Sequence, residues 1–245
     1  MLKEAIEKIA SMSAPTIYEI EGATFRLTQD GNTEEIHPAP VFPDTLRLNS
    51  LDAMVKLVKT EGLPDAQERP LYITIPDHLT VRCFSKPNTA MRCIRPLFYE
   101  AKATDVPGWG GETQLKFEEA MIALRTRFQA TPDAEYALKL LTDITTGAKV
   151  TYTDNGIATS VVTKTGVSLQ TNQSIRPIVT LKPYRTFQEV DQPASQFLIR
   201  INERGILFTE ADGGMWKLKA RETVKSYFEE YLNAEIESGD VIVAL

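Results

Sequence analysis

Residues 180–217 read TLKPYRTFQEVDQPASQFLIRINERGILFTEADGGMWK, and the punctuation of this stretch decides the fold class. Its apolar residues alternate with polar ones, which predicts strands over 178–182, 196–201 and 206–209. Gln192-Pro193 ends an extended segment, and Asp212-Gly213-Gly214 is a turn. A last amphipathic helix is predicted over 219–232, with Ala220, Val224, Phe228 and Tyr231 inward, and 236–243 closes as a strand.

Working back towards the N-terminus, Asp154-Asn155-Gly156 lies between two Val- and Thr-rich runs, 149–153 and 157–164. Asn-Gly suits the positive φ angles of a tight primed turn, so the segment is a β-hairpin. Thr131-Pro132 starts a helix, a capping hydroxyl followed by proline at the first helical position, with Leu138, Leu141 and Ile144 inward. Phe117, Met121, Leu124 and Phe128 recur at spacings of four, three and four, the period of a buried helical face. Ser50 caps a helix whose inner face is Leu51, Met54, Val55 and Val58, and Gly62 ends it. Strands are predicted over 71–75, 79–84, 93–102 and 16–28, the last turned at Asp30-Gly31-Asn32 into a second short strand, with an extended Pro-rich loop over 37–44. Hairpins and helices in irregular order define an α+β fold, mainly antiparallel sheet with several amphipathic helices. The chain reads as a single domain, with a subdivision near 130 between a mixed first half and a β-rich second half ending in a helix.

A chain of 245 residues with 42% hydrophobic and 24% charged residues has the composition of an ordinary globular protein. No apolar run approaches the roughly 20 residues of a membrane span. The first residues, MLKEAIEKIASM, read as a charged amphipathic helix and not as an export signal, an expectation that points to the cytoplasm and away from membranes. A net charge of −6 argues against nucleic-acid binding over the whole surface. Two cysteines, Cys83 and Cys93, make neither a disulfide framework nor a four-cysteine zinc site, and are expected to be buried thiols. The two histidines, His37 and His78, stand in no catalytic motif.

Four constellations carry potential chemistry. Pro76-Asp77 followed by Glu100-Ala101-Lys102 is the skeleton of a metal-dependent nuclease of the PD-(D/E)xK type, two carboxylates for Mg²⁺ and a lysine for the attacking water. The plainer reading, a turn at Asp77 and a surface pair on a strand, is favoured. Glu189, Asp191, Glu210 and Asp212 could hold a hard cation through oxygen ligands, although acidic residues are also at home in such turns. Between 78 and 102, Arg82, Lys86, Arg92, Arg95 and Lys102 face one acid, Glu100, with Phe98 and Tyr99 interleaved. That is the composition of a single-stranded nucleic-acid groove, and equally of strand edges protected by charge. The aromatic cluster of Tyr184, Phe187, Phe197, Phe208, Trp216, Tyr227 and Phe228 is mostly core. Within it Arg185 and Arg200 could pair with Glu189 or Glu210 in a packed layer, or Tyr184, Arg185, Phe187, Arg200 and Trp216 could form a subunit interface.

The residues Pro183-Tyr184-Arg185-Thr186-Phe187, Glu189, Gln192-Pro193, Ser195, Phe197 and Arg200, continued by Glu210-Ala211-Asp212-Gly213-Gly214 and Trp216, resemble an uncharacterised phage and prophage protein family. The family includes the enterobacterial prophage protein YfdQ. Thr80-Val81-Arg82, Tyr99-Glu100-Ala101-Lys102 and Asp154-Asn155-Gly156 are similar to it as well, so the likeness spans 77–232. The resemblance implies a phage-encoded product of the host cytoplasm, made among early genes for DNA replication and recombination, and it transfers no catalytic residue. The sequence shows no Gly-x-Ser-x-Gly, Walker loop or dinucleotide fingerprint, and no cofactor is expected. The expectation is a non-enzymatic homo-oligomer acting by self-assembly or by binding a phage or host protein. A single-stranded nucleic-acid accessory and a Mg²⁺ nuclease are the alternatives.

Overall fold

The computed structural model describes residues 3–5, 8, 16–20, 23–27, 32–36, 44–60, 69–87, 94–146, 149–154, 159–165, 169–174, 176–202 and 204–245. The chain is α+β, with four sheets that are mainly antiparallel. It divides into two compact units, one of residues 1–43 and 87–94, the other of 44–86 and 95–245. Ala130 lies inside the second unit, between helices that share one core.

The first unit is a three-stranded antiparallel meander of β1 (Thr16–Ile20), β2 (Ala23–Leu27) and β3 (Thr33–Ile36). The single strand expected over 16–28 is therefore two, paired with Ile20 opposite Ala23. Uninterrupted β propensity on both sides of Glu21-Gly22 conceals the break in the sequence.

The second unit holds two hydrophobic cores. One forms where α2 (Phe117–Thr126) and α3 (Pro132–Thr146) pack on a sheet of order β12 (Ile178–Leu181), β13 (Ser195–Asn202), β14 (Gly205–Glu210) and β8 (Glu112–Leu115). Leu124, Phe128, Leu141 and Ile144 meet Leu181, Phe197, Ile201 and Phe208, and Trp109 sets its ring edge-on to Phe128 and Phe208. The other core belongs to a mixed sheet of order β15 (Val241–Ala244), β5 (Leu71–Asp77), β6 (Thr80–Phe84), β7 (Leu97–Lys102) and β4 (Leu46–Leu48). The outer pairs, β15 with β5 and β4 with β7, are parallel. On one face of this sheet lie α1 (Leu51–Thr60), α4 (Trp216–Tyr231) and the short α5 (Asn233–Glu237). The third sheet of this unit, antiparallel, is made of β9 (Lys149–Asp154), β10 (Thr159–Thr165) and β11 (Leu169–Ser174) and contains the expected hairpin strands.

The caps form as read. Ser50 Oγ accepts the Ala53 amide at 3.1 Å, and Thr131 Oγ1 accepts the Ala134 amide at 3.1 Å. In α4 the inner residues are Ala220, Val224 and Phe228, with Leu232 just beyond the helix, whereas Tyr231, expected inward, is 47% exposed. The expected strand over 236–243 starts only at Val241, after α5. Cys83 is fully buried, and burial pushes its thiol up to about 12, which leaves it unreactive at neutral pH. His37, Arg92 and Cys93 lie outside the described residues. Among the described residues no helix is long and apolar enough to cross a membrane.

Candidate functional site

The expected clusters separate in space. Asp77 ends β5 and its carboxylate accepts the Leu79 amide at 2.7 Å, closing the turn into β6. Glu100 and Lys102 are on β7, with β6 between them and β5. Both Glu100 oxygens are engaged, one by Arg82 Nε at 2.9 Å and the other by Lys102 Nζ at 3.0 Å. The Arg82 hydrogen bond, followed by that of Lys102, holds the Glu100 carboxyl below its ordinary value of 4.5. Among the described residues no group of three or more His, Cys, Asp or Glu side chains is placed to hold a metal ion.

The four acidic residues near 200 each have a separate partner. Glu189 accepts the Leu51 amide at 2.8 Å at the start of α1, Asp191 pairs with Lys182 at 2.6 Å, and Asp212 accepts the Gly214 amide at 3.0 Å. Glu210 pairs with Arg185. Of the two readings of the aromatic cluster, the packed layer is the one that Arg185, Phe187 and Trp216 occupy: all three are buried. Tyr184 is half-buried and Arg200 exposed.

Arg185 is the centre of that layer. Its Nη1 bonds Glu210 and Ser195 Oγ, and its guanidinium carbon lies 4.4 Å from the Trp216 ring centroid and 5.4 Å from that of Phe197. The loop that carries it is closed by Gln192, whose Oε1 accepts the amides of Arg185 and Thr186 and whose Nε2 donates to the carbonyls of Phe187 and Val190. Thr186 Oγ1 donates to the His78 carbonyl at 2.6 Å, and the His78 ring stands edge-on to Trp216, 4.7 Å between centroids.

Burial lowers the His78 pKa below its ordinary 6.5; Asp77 raises it, and Lys217 and Arg185 lower it further. The folded state thus binds the His78 proton less readily than the unfolded chain. Its contribution to stability is full above about pH 6.5 and is lost as pH falls through the depressed folded value. Urea denaturation across this window is expected to show a steeper acid loss in the wild type than in His78→Phe, which keeps the ring contact without a titrating group. Equal slopes would remove His78 from the acid response.

The outward face of the five-stranded sheet gathers most of the basic candidates. Strand registers align Thr74, Arg82, Glu100 and Arg47 in one row across β5, β6, β7 and β4. A second row is Ile242, Tyr72, Phe84 and Leu97. Arg95 lies over the Tyr72 ring, 4.6 Å from its centroid. Lys102, opposite Thr80, adds a further cation, and Lys86 is exposed just after β6. Two concavities border the basic end: one of about 500 Å³ lined by Arg47, Asn49, Glu100, Lys102 and Thr104, and one of about 370 Å³ that shares Asn49 and Thr104 and extends to Ser50 and Glu189. Sequence reasoning missed Arg47, Tyr72, Phe84 and Ile242. The alternation of 71–75 carried the signal for Tyr72, while the others depend on strand pairing.

In the first unit, β1 is an edge strand with Ile17, Tyr18 and Ile20 exposed at 59, 47 and 58%. Searches for related proteins find no matching family model, curated protein or solved structure.

Proposed function

We propose that this chain is a non-enzymatic, phage-encoded protein of the host cytoplasm that works by self-assembly, with β1 as the joining strand. The observation that carries the reading is the exposure of β1. Ile17 and Ile20 project from opposite faces of an edge strand, in a unit where no described residue with an assigned exposure is buried. Three strands without a covered apolar face are only marginally stable, and an unprotected edge is a template for pairing. β1 has no lysine, proline or bulge and a single charge, Glu19, whereas the opposite edge, β3, carries two, Glu34 and Glu35. Antiparallel pairing of two β1 strands would join two three-stranded sheets into one. The resemblance of 77–232 to a phage family supports the phage origin.

Light scattering after size exclusion tests this. The wild type is expected to run as a discrete oligomer. Ile17→Lys with Ile20→Lys is expected to run as a monomer with unchanged circular dichroism. A monomeric wild type at micromolar concentration would sink the proposal, as would an oligomer indifferent to the two lysines.

A further inference from the structure

We propose that the outward face of the five-stranded sheet binds single-stranded nucleic acid, with bases on the Tyr72–Phe84 row and phosphates on the adjacent basic row. A sheet that is antiparallel at its centre can leave one face to solvent. Here α1, α4 and α5 all contribute to the core on one face, while Ile242, Arg47 and Lys102 on the other remain exposed. Tyr72 and Phe84 are register partners, so the two side chains leave adjacent positions on the same face of β5 and β6. Ile242 and Leu97 extend this row to both sides. The Arg95 guanidinium over Tyr72 adds a second flat, cationic plane. Two residues along the strands, about 7 Å away, runs the row of Arg82, Glu100 and Arg47, with Lys102 one step beyond.

Charge selects the occupant. Among the described residues of this face, Arg47, Arg82, Arg95 and Lys102 accompany a single acid, Glu100, in a chain whose net charge is −6. Glu100 holds Arg82 and Lys102 in place, whereas Arg47 has no ion-pair partner among the described residues. Arg47 also lines the concavity of about 500 Å³ at the basic end, a volume typical of ligand pockets. An acidic protein would satisfy the cations but would make no specific use of the aromatic side chains beside them. Nucleobases stack on such side chains while their phosphates meet the charges.

The test is fluorescence anisotropy of a labelled oligo-dT strand with the full chain at two salt concentrations. Binding that weakens with salt is expected. Arg47→Glu, at an exposed position, is expected to weaken it and to lower the salt slope by about 0.7 for each phosphate no longer neutralised. Tyr72→Ala is expected to weaken it about tenfold while leaving the salt slope unchanged, a split that removal of charge alone would not produce. Absence of binding at low salt, or full affinity in Tyr72→Ala, would overturn the proposal. Poly-glutamate or duplex DNA binding as tightly as oligo-dT would also overturn it, and would assign the face to an acidic protein or to polyanions in general. The Ile17→Lys, Ile20→Lys chain is expected to bind oligo-dT as well as the wild type does, because the face lies within one chain. Binding that disappears together with assembly would contradict that placement.

Discussion

Glu210→Ala is expected to destabilise the fold by about 3–5 kcal/mol, the cost of leaving a buried charge without its partner. The argument rests on the asymmetry of the pair. The Arg185 side chain is 1% exposed and that of Glu210 14%. With Glu210 gone, the guanidinium keeps Ser195 Oγ, the ring faces of Trp216 and Phe197 and the more distant charge of Asp212, but no bonded carboxylate. Its Nε and Nη2 already lack hydrogen-bond acceptors among the described residues, so none of these is in place to take over. Burial favours loss of the Arg185 charge and Glu210 opposes it most strongly, yet arginine does not deprotonate near neutrality.

Arg185→Met is expected to cost clearly less. It removes the buried charge, keeps an apolar chain against the two rings, and leaves Glu210 close enough to the surface to be hydrated. Urea midpoints at constant slope would read both. If Arg185→Met proved the more damaging, the ion pair would not be what this layer depends on, and its aromatic packing would become the better account.

Legibility followed the range of the signal. Helix starts are local, and the hydroxyls of Ser50 and Thr131 cap where the sequence places them. Strands with several alternating residues, such as β5 and β13, are visible for the same reason. β4 and β8, of three and four residues, are too short for any period to show. The parallel pairing of β4 with β7 and of β15 with β5 joins segments far apart in the chain, and no local pattern encodes it. The candidate sites divide in the same way. Arg82 and Lys102 stand out as a basic run in the sequence, but the shared ion pairing of both with Glu100 depends on register. Arg47 joins them only because β4 lies beside β7. Arg185 and Glu210 were recognisable as one of the pairings open to that layer, whereas the burial that gives the pair its weight is a property of the packed layer.

Gly205→Ala is expected to be among the most damaging single-methyl additions in the chain, at more than about 4 kcal/mol or with loss of the folded state. Gly205 opens β14 at a φ of +131°, a conformation that residues with a Cβ rarely adopt. A Cβ there would lie 2.0 Å from the Leu115 carbonyl oxygen and 3.0 Å from Lys116 Cα. These are backbone atoms at the point where β8 ends and α2 begins, with Ile206 already paired to Leu115. Relief therefore requires moving β8, an outer strand of the sheet that α2 and α3 pack against. Gly213 separates the two causes. Its φ is +63°, and a Cβ there meets nothing within 4 Å. Gly213→Ala is expected to cost only the left-handed conformation, about 1–2 kcal/mol. The difference between the two midpoints in urea measures the steric part. A Gly205→Ala chain within about 1 kcal/mol of Gly213→Ala would mean that β8 yields freely, and that it does not help to hold the α2–α3 core on its sheet.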